Sequence, residues 1–252
     1  MTTQAKATQH GVINRGSEMT RTETFVDAAF AFAVTLLVVS VSQVPGSVAE
    51  LREAFKAVPA FAASFAIIAM FWYLHHRWSR RFGLDDGLTV LLSLTLVFIV
   101  LVYVYPLRML AASALHWMSG GWLPAGFAIT GPADLVGLYV GYGIGFALLA
   151  SVLWCLYFHG WRQRDVLGLN GEERIATRVD MLAIGMIAAS GVASASIALL
   201  LPAEASPWML AMPGLVYNVL VLLPWLTHVY ARRLQHRPEY AEPMLSPSDS
   251  SP

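Results

Sequence analysis

Residues 21–41, RTETFVDAAFAFAVTLLVVSV, set an Arg, a Phe and an Asp directly ahead of an apolar run that a single Thr interrupts. A charge in hydrocarbon costs about 2.5 to 3.5 kcal/mol on insertion scales, so Asp27 belongs at the interface or against a protein or aqueous interior. The segment is expected to be a first membrane-spanning helix that points inward and is retained instead of being cleaved.

The rest of the chain agrees with a membrane setting. Of its 252 residues 57% are hydrophobic and 13% charged, against about 25% charged in soluble domains, and the mean hydropathy is +0.59. A formal net charge of +0 conceals the pattern, because acids and bases gather in short connectors between apolar runs. The single cysteine, Cys155, excludes an intrachain disulfide and a thiolate metal cluster. No cofactor is expected, and nucleic acid is not expected among the partners.

A hydrocarbon core of about 30 Å needs about 20 apolar residues in a helix. Six stretches meet this: 25–44, 55–75, 88–114, 135–158, 179–202 and 208–229. Strand periodicity is missing, so a barrel is excluded and an all-α integral membrane fold is expected. Lys and Arg near the span ends divide 13 to 3, only Arg52, Lys56 and Arg108 falling away from the N-terminal side. The positive-inside rule then makes both termini cytoplasmic, which an even number of spans requires. The expected organisation is a polar N-terminal tail over 1–20, a six-helix domain over 21–233 and a Pro-, Ser- and acid-rich disordered tail over 234–252. The connector 115–134 carries Trp117, Trp122 and Phe127 for an interfacial belt, or forms a short re-entrant element whose turn uses Gly120, Gly121 and Pro124. The two halves show no internal repeat, which disfavours an inverted-repeat transporter.

On the first helix Phe32, Thr35, Leu36 and Val39 recur at spacings of three and four and share a face. Val34, Leu37, Val38 and Val41 are expected opposite, with Asp27 in the first turn. Around a symmetry axis such a face makes an apolar constriction with one band of hydroxyls; alone, it is one side of an apolar helix. Asp27 has two readings, a helix-dipole partner or a partner for Arg21 or a histidine. The second span ends FWYLHHRWSRR, where Trp72 and His76 share a face. His75 and His76 diverge, and no H-E-x-x-H pattern occurs, so a metal site is not expected. Asp180, Asn218, His228, Tyr103 and Tyr105 read as isolated polar groups served by interhelical hydrogen bonds. The stretch 185–198 reads as a small-residue packing face. Nucleotide-binding and hydrolase fingerprints are absent, so an enzyme is not expected.

Arg21, Phe25 and Asp27 followed by AAFAFAVTLLVV resemble the first-helix motif of the bacterial members of the transmembrane protein 175 family of potassium channels. The similarity continues through Ser64, Phe65, Trp72, His75 and His76 and fades at Pro106. That resemblance implies a homotetramer of six-helix subunits in the cell membrane, the bacterial inner membrane, in contact with lipid. It implies that the first helices line a potassium pore built from apolar rings instead of a carbonyl filter. It places Phe32 at the narrowest ring, Thr35 at the hydroxyl ring and Val39 one turn further out. Arg21, Phe25, Asp27 and His76 become a bracket holding the first helix. The chain departs from the pattern at Val26, at Phe32, where Ile or Leu is usual, and at Ser93 and Thr95, where Trp and Asn are common. A proton-linked small-solute transporter using Asp27 and a histidine, and a non-conducting scaffold signalling through its arginine-rich connectors, are the alternatives.

Overall fold

The computed structural model describes residues 15–16, 18–39, 45–125, 129–202 and 204–237, and every regular element among them is helical. In chain order these are α1 (Arg21–Val39), α2 (Val48–Lys56), α3 (Val58–Phe82), α4 (Gly87–Met118), α5 (Pro132–Arg162), α6 (Gly171–Leu199), α7 (Pro207–Leu215), a 3₁₀ segment (Val216–Leu222) and α8 (Leu223–Gln235). Five runs, α3, α4, α5, α6 and Trp208–Gln235, are long and apolar enough to cross a membrane. Helix α1 is 19 residues long and carries Glu23 in its first turn, with Arg21 and Asp27 also in its first two turns. The remainder of the expected first span, 40–44, lies outside the described residues, as do Val41 and Phe127.

Local chemistry explains where the helices depart from the hydropathy windows. The expected second span began at 55, but residues 48–56 form their own short helix. Ser47 caps it by accepting from the Glu50 N–H, and none of its residues is buried. Pro59, in the first turn of α3, separates the two helices. Helix α6 starts eight residues before the expected 179, because Asn170 and Glu173 form a reciprocal capping box. Its first two turns are too polar for a hydropathy window to include. The last span is not one α-helix: Pro213 and Pro224 each remove an i→i−4 donor, and between them the chain tightens into 3₁₀ geometry. There Asn218 donates to the Leu215 carbonyl of its own segment instead of bonding across helices. Within the expected terminal segments, Arg15 is ion-paired with Glu173 and Leu234 is 1% exposed inside α8. From 238 onward the expected tail lies outside the described residues.

Asp86 opens α4 by accepting from the Thr89 N–H at 2.9 Å, and its other oxygen lies 2.7 Å from His159 Nε2 at the end of α5. Partial burial pushes its carboxyl up. The Thr89 and His159 hydrogen bonds outweigh that and hold it at about 2, below the ordinary 3.8. A carboxylate depressed on folding stabilises fully above 3.8, and the contribution is lost as pH falls through about 2. Asp86→Ala is expected to cost about 0.5 to 2 kcal/mol at neutral pH and to flatten the acid limb of a thermal-unfolding profile. Equal acid sensitivity in both proteins would refute the assignment.

Packing proceeds outward from α1, which lies on α3 and α4; α4 packs on α5, and α5 on α6, which supports α7, the 3₁₀ segment and α8. Lipid supplies little hydrophobic drive between helices, so close backbone approach matters. The α5–α6 contact shows it: a Cβ on Gly143 would stand 2.7 Å from the Gly191 carbonyl, and one on Gly191 equally close to that of Gly143. Gly191, Ser194, Ala195 and Ala198 within the expected small-residue stretch are buried on the α6 side. Gly143→Ala is therefore expected to lower stability by about 1 to 3 kcal/mol through overpacking. Gly137→Ala on the same helix, where a Cβ meets nothing within 4 Å, should gain slightly from helix propensity. Thermal unfolding in detergent checks the opposite signs.

Candidate functional site

The two sides of α1 differ in what covers them. Val26, Phe30, Ala33 and Leu37, spaced four, three and four apart, are buried to between 0 and 3% exposure. On the other side Phe25, Ala28, Phe32 and Thr35 are exposed, Phe25 at 54% and Phe32 at 55%. Leu36 is half-buried at the edge of that stripe, and Val38 is exposed beside Thr35 instead of lying opposite it. Val39 ends the helix, and its side chain lies outside the described residues. The Thr35 hydroxyl donates to the Ala31 carbonyl at 3.0 Å. With its proton turned into the helix, its lone pairs remain on the exposed side, where they can accept from water or face a cation.

The base of α1 is held by an antiparallel ladder on α3. Residues four apart recur about 6 Å up a helix, and Trp72, His76 and Arg80 meet Asp27 and Glu23 in that register. Trp72 Nε1 donates to Asp27 Oδ1 at 2.8 Å, and the indole stacks on His76 with ring centres 5.4 Å apart. Glu23, 3% exposed, lies 3.1 Å from Arg80 and 3.6 Å from His76 Nδ1. Arg80 also donates to the Gly16 carbonyl, and Gly16 N–H returns a bond to the Arg80 carbonyl. Asp27 is thus in the second turn, not the first, and Glu23 is the buried first-turn acid that sequence reading passed over. The signal for it was present: Glu23 stands four residues before Asp27, as His76 stands four after Trp72.

His75 and His76 diverge. His75 is 2% exposed and its Nε2 lies 3.1 Å from Ser93 Oγ on α4. Ser93 thereby links α3 to α4, while Thr95 is exposed and bonds the Leu91 carbonyl of its own helix. Arg21 is exposed and has no ion pair among the described residues.

The same end of the bundle holds a second charged cluster. Asp180 is not an isolated polar group: one oxygen accepts from Arg77 and the other from Arg81 Nη1 at 2.7 Å, with Thr177 also within reach of Arg81. Arg15 pairs with fully buried Glu173 at 2.6 Å. Outside these pairs, no group of three or more His, Cys, Asp or Glu side chains suited to a metal occurs among the described residues.

Comparison with known proteins places these features in context. The family described as endosomal/lysosomal potassium channel TMEM175 matches residues 21–106, which contain both the exposed stripe and the ladder. A protein of Marivirga tractuosa described as a potassium channel is 36% identical over 174 residues, 67% of this chain and 70% of that protein. Another potassium channel, from Chamaesiphon minutus, is 31% identical over 107 residues, 40% of this chain and 53% of that one. The solved structure of a variant of the potassium channel MtTMEM175, in complex with a nanobody–MBP fusion protein, superposes with a TM-score of 0.74 at 30% identity. That superposition covers 89% of this chain and 97% of the other.

Proposed function

Since the chain belongs to the family of the endosomal/lysosomal potassium channel TMEM175, we infer that it is a multi-pass membrane protein that conducts potassium. This is a channel family and not an enzyme class. The finer reading is that α1 joins the five apolar runs as a sixth span, with both termini cytoplasmic, and that four subunits bring their α1 helices together around the permeation path. One observation carries it: α1 buries Val26, Phe30, Ala33 and Leu37 in its own protomer while leaving Phe25, Phe32 and Thr35 uncovered.

Around a four-fold axis Phe32 forms the narrow apolar ring. Thr35, about 4.5 Å further along at 1.5 Å per residue, forms a ring of hydroxyl acceptors, and Val39 lies a turn beyond. Asp27 and Glu23 stay on the protomer side, bonded to Trp72 and paired with Arg80, so they anchor the pore helix instead of lining the path. Exposed Arg21 and Phe25 are left to meet a neighbouring subunit. A proton-exchange mechanism is less well served, because Asp27 takes its hydrogen bond from an indole and not from a histidine.

Recording from purified protein in lipid bilayers under potassium and sodium gradients tests the assignment. Unitary potassium-carrying currents are expected. Thr35→Val, which keeps the shape and removes the oxygen, should shift the reversal potential under mixed ions more than it changes open probability. Saturable flux driven by a pH gradient without unitary currents would overturn the channel reading in favour of a transporter.

A further inference from the structure

On the far side of the bundle from α1, helices α5, α6 and α8 leave an open groove of about 470 Å³, within the range of small-molecule sites. Its floor is aromatic and sulfur-rich. Trp154 and Phe158 stack with ring centres 5.2 Å apart, Met181 and Met186 face them, and Gly185 leaves the space open, since its Cβ would still stand 3.8 Å from Trp154. One end is cationic. Arg178 lies 4.8 Å over the Trp161 ring, Arg164 lies 5.0 Å from the same ring, and Tyr230 of α8 completes the mouth.

Three properties restrict what fits. Among the described residues, Arg178 is the only charged one lining the groove. It has no acidic partner among the described residues, whereas Arg77 and Arg81 share Asp180, Arg15 has Glu173, and Arg164 and Arg174 share Asp165. Second, α6 rises about 16 Å from Arg178 to Ala189, close to the roughly 15 Å of one leaflet of a 30 Å hydrocarbon core. Third, a Trp flanked by two guanidinium groups suits the headgroup layer. The cytoplasmic leaflet, on which the charge distribution puts this end, is the one that attracts basic pockets to anionic lipids.

We propose that this groove is a binding site for one anionic phospholipid per protomer. Its phosphate is held by Arg178 and the Tyr230 hydroxyl, and one acyl chain lies along Trp154, Phe158 and Met186. The site is set apart from the proposed permeation path, because among the described residues α1 packs mainly on α3 and α4.

Full-length protein reconstituted in nanodiscs of phosphatidylcholine with phosphatidylglycerol, followed by native mass spectrometry, counts the lipids retained per protomer. Wild type and Arg233→Gln, an exposed α8 charge outside the groove, are expected to retain one more phosphatidylglycerol per protomer than Arg178→Gln or Gly185→Leu, which fills the floor. Neither charge nor shape should distinguish the proteins when phosphatidylcholine is the only lipid. Equal phosphatidylglycerol retention by wild type and Arg178→Gln overturns the proposal, as does equal loss in Arg233→Gln. Displacement by soluble glycerol 3-phosphate also overturns it, because the site would then read a free phosphate and not a lipid. Should Gly185→Leu fail to fold, the conservative Arg178→Gln comparison decides alone.

Discussion

Phe32→Ala is expected to raise potassium current through reconstituted protein by about tenfold, which a permeation barrier lower by only about 1.4 kcal/mol would produce. An apolar ring restricts ions by excluding water from a narrow passage, and the cost rises as the ring narrows. In the proposed tetramer, four phenyl groups at one level would close more of the path than smaller aliphatic side chains. Truncation to Ala would widen that level at little cost to the protomer's packing, because Phe32 is 55% exposed. Phe30→Ala is the contrast: at 3% exposure it packs inside the protomer, so its substitution should cost stability, about 3 to 5 kcal/mol in a well-packed site, before it alters conduction. Single-channel recording beside thermal unfolding separates the two effects. Current unchanged by Phe32→Ala would remove that side chain from the narrowest point.

The second large effect is expected at Asp180. Asp180→Ala leaves Arg77 and the 7%-exposed Arg81 without their shared carboxylate. An uncompensated buried charge typically costs about 3 to 5 kcal/mol, so this variant should unfold well before wild type in detergent. The triple replacement of Arg77, Arg81 and Asp180 by Met should recover much of that loss, because apolar side chains of similar volume remove the desolvation penalty along with the pair. A triple variant as unstable as Asp180→Ala would show that the cluster does something other than neutralise itself.

Both sites bear on how far the residues alone could be read. Long apolar runs made the helical membrane fold legible, and the Arg21, Phe25, Asp27 motif pointed to the family that the comparisons then showed. Capping marked the true helix starts, but hydropathy windows are blind to it: Asn170 and Glu173 add polarity where they begin α6. Helix α2 was hidden for a similar reason, since its alternation of Val48, Leu51 and Phe55 with charged residues blurs into the flank of a span. Charge pairing was the least legible. Asp180 lies about a hundred residues from Arg77 and Arg81, and only the α3–α6 arrangement joins them. Glu23 is not legible from the motif of Arg21, Phe25 and Asp27, because its partner Arg80 lies on another helix. Phe32 and Thr35 share an exposed side of α1, but Val38 lies beside them instead of opposite, because a uniformly apolar run does not say which of its flanks a neighbour covers.

The proline-bounded 3₁₀ segment near the C-terminus has a mechanical consequence. A 3₁₀ turn advances about 2.0 Å per residue against 1.5 Å for an α-helix, so its seven residues lengthen the final crossing by about 3.5 Å over an unbroken helix of equal residue count. That extra reach carries Arg232 and Arg233 further toward bulk water and suits the crossing to a thicker bilayer than its residue number alone would indicate.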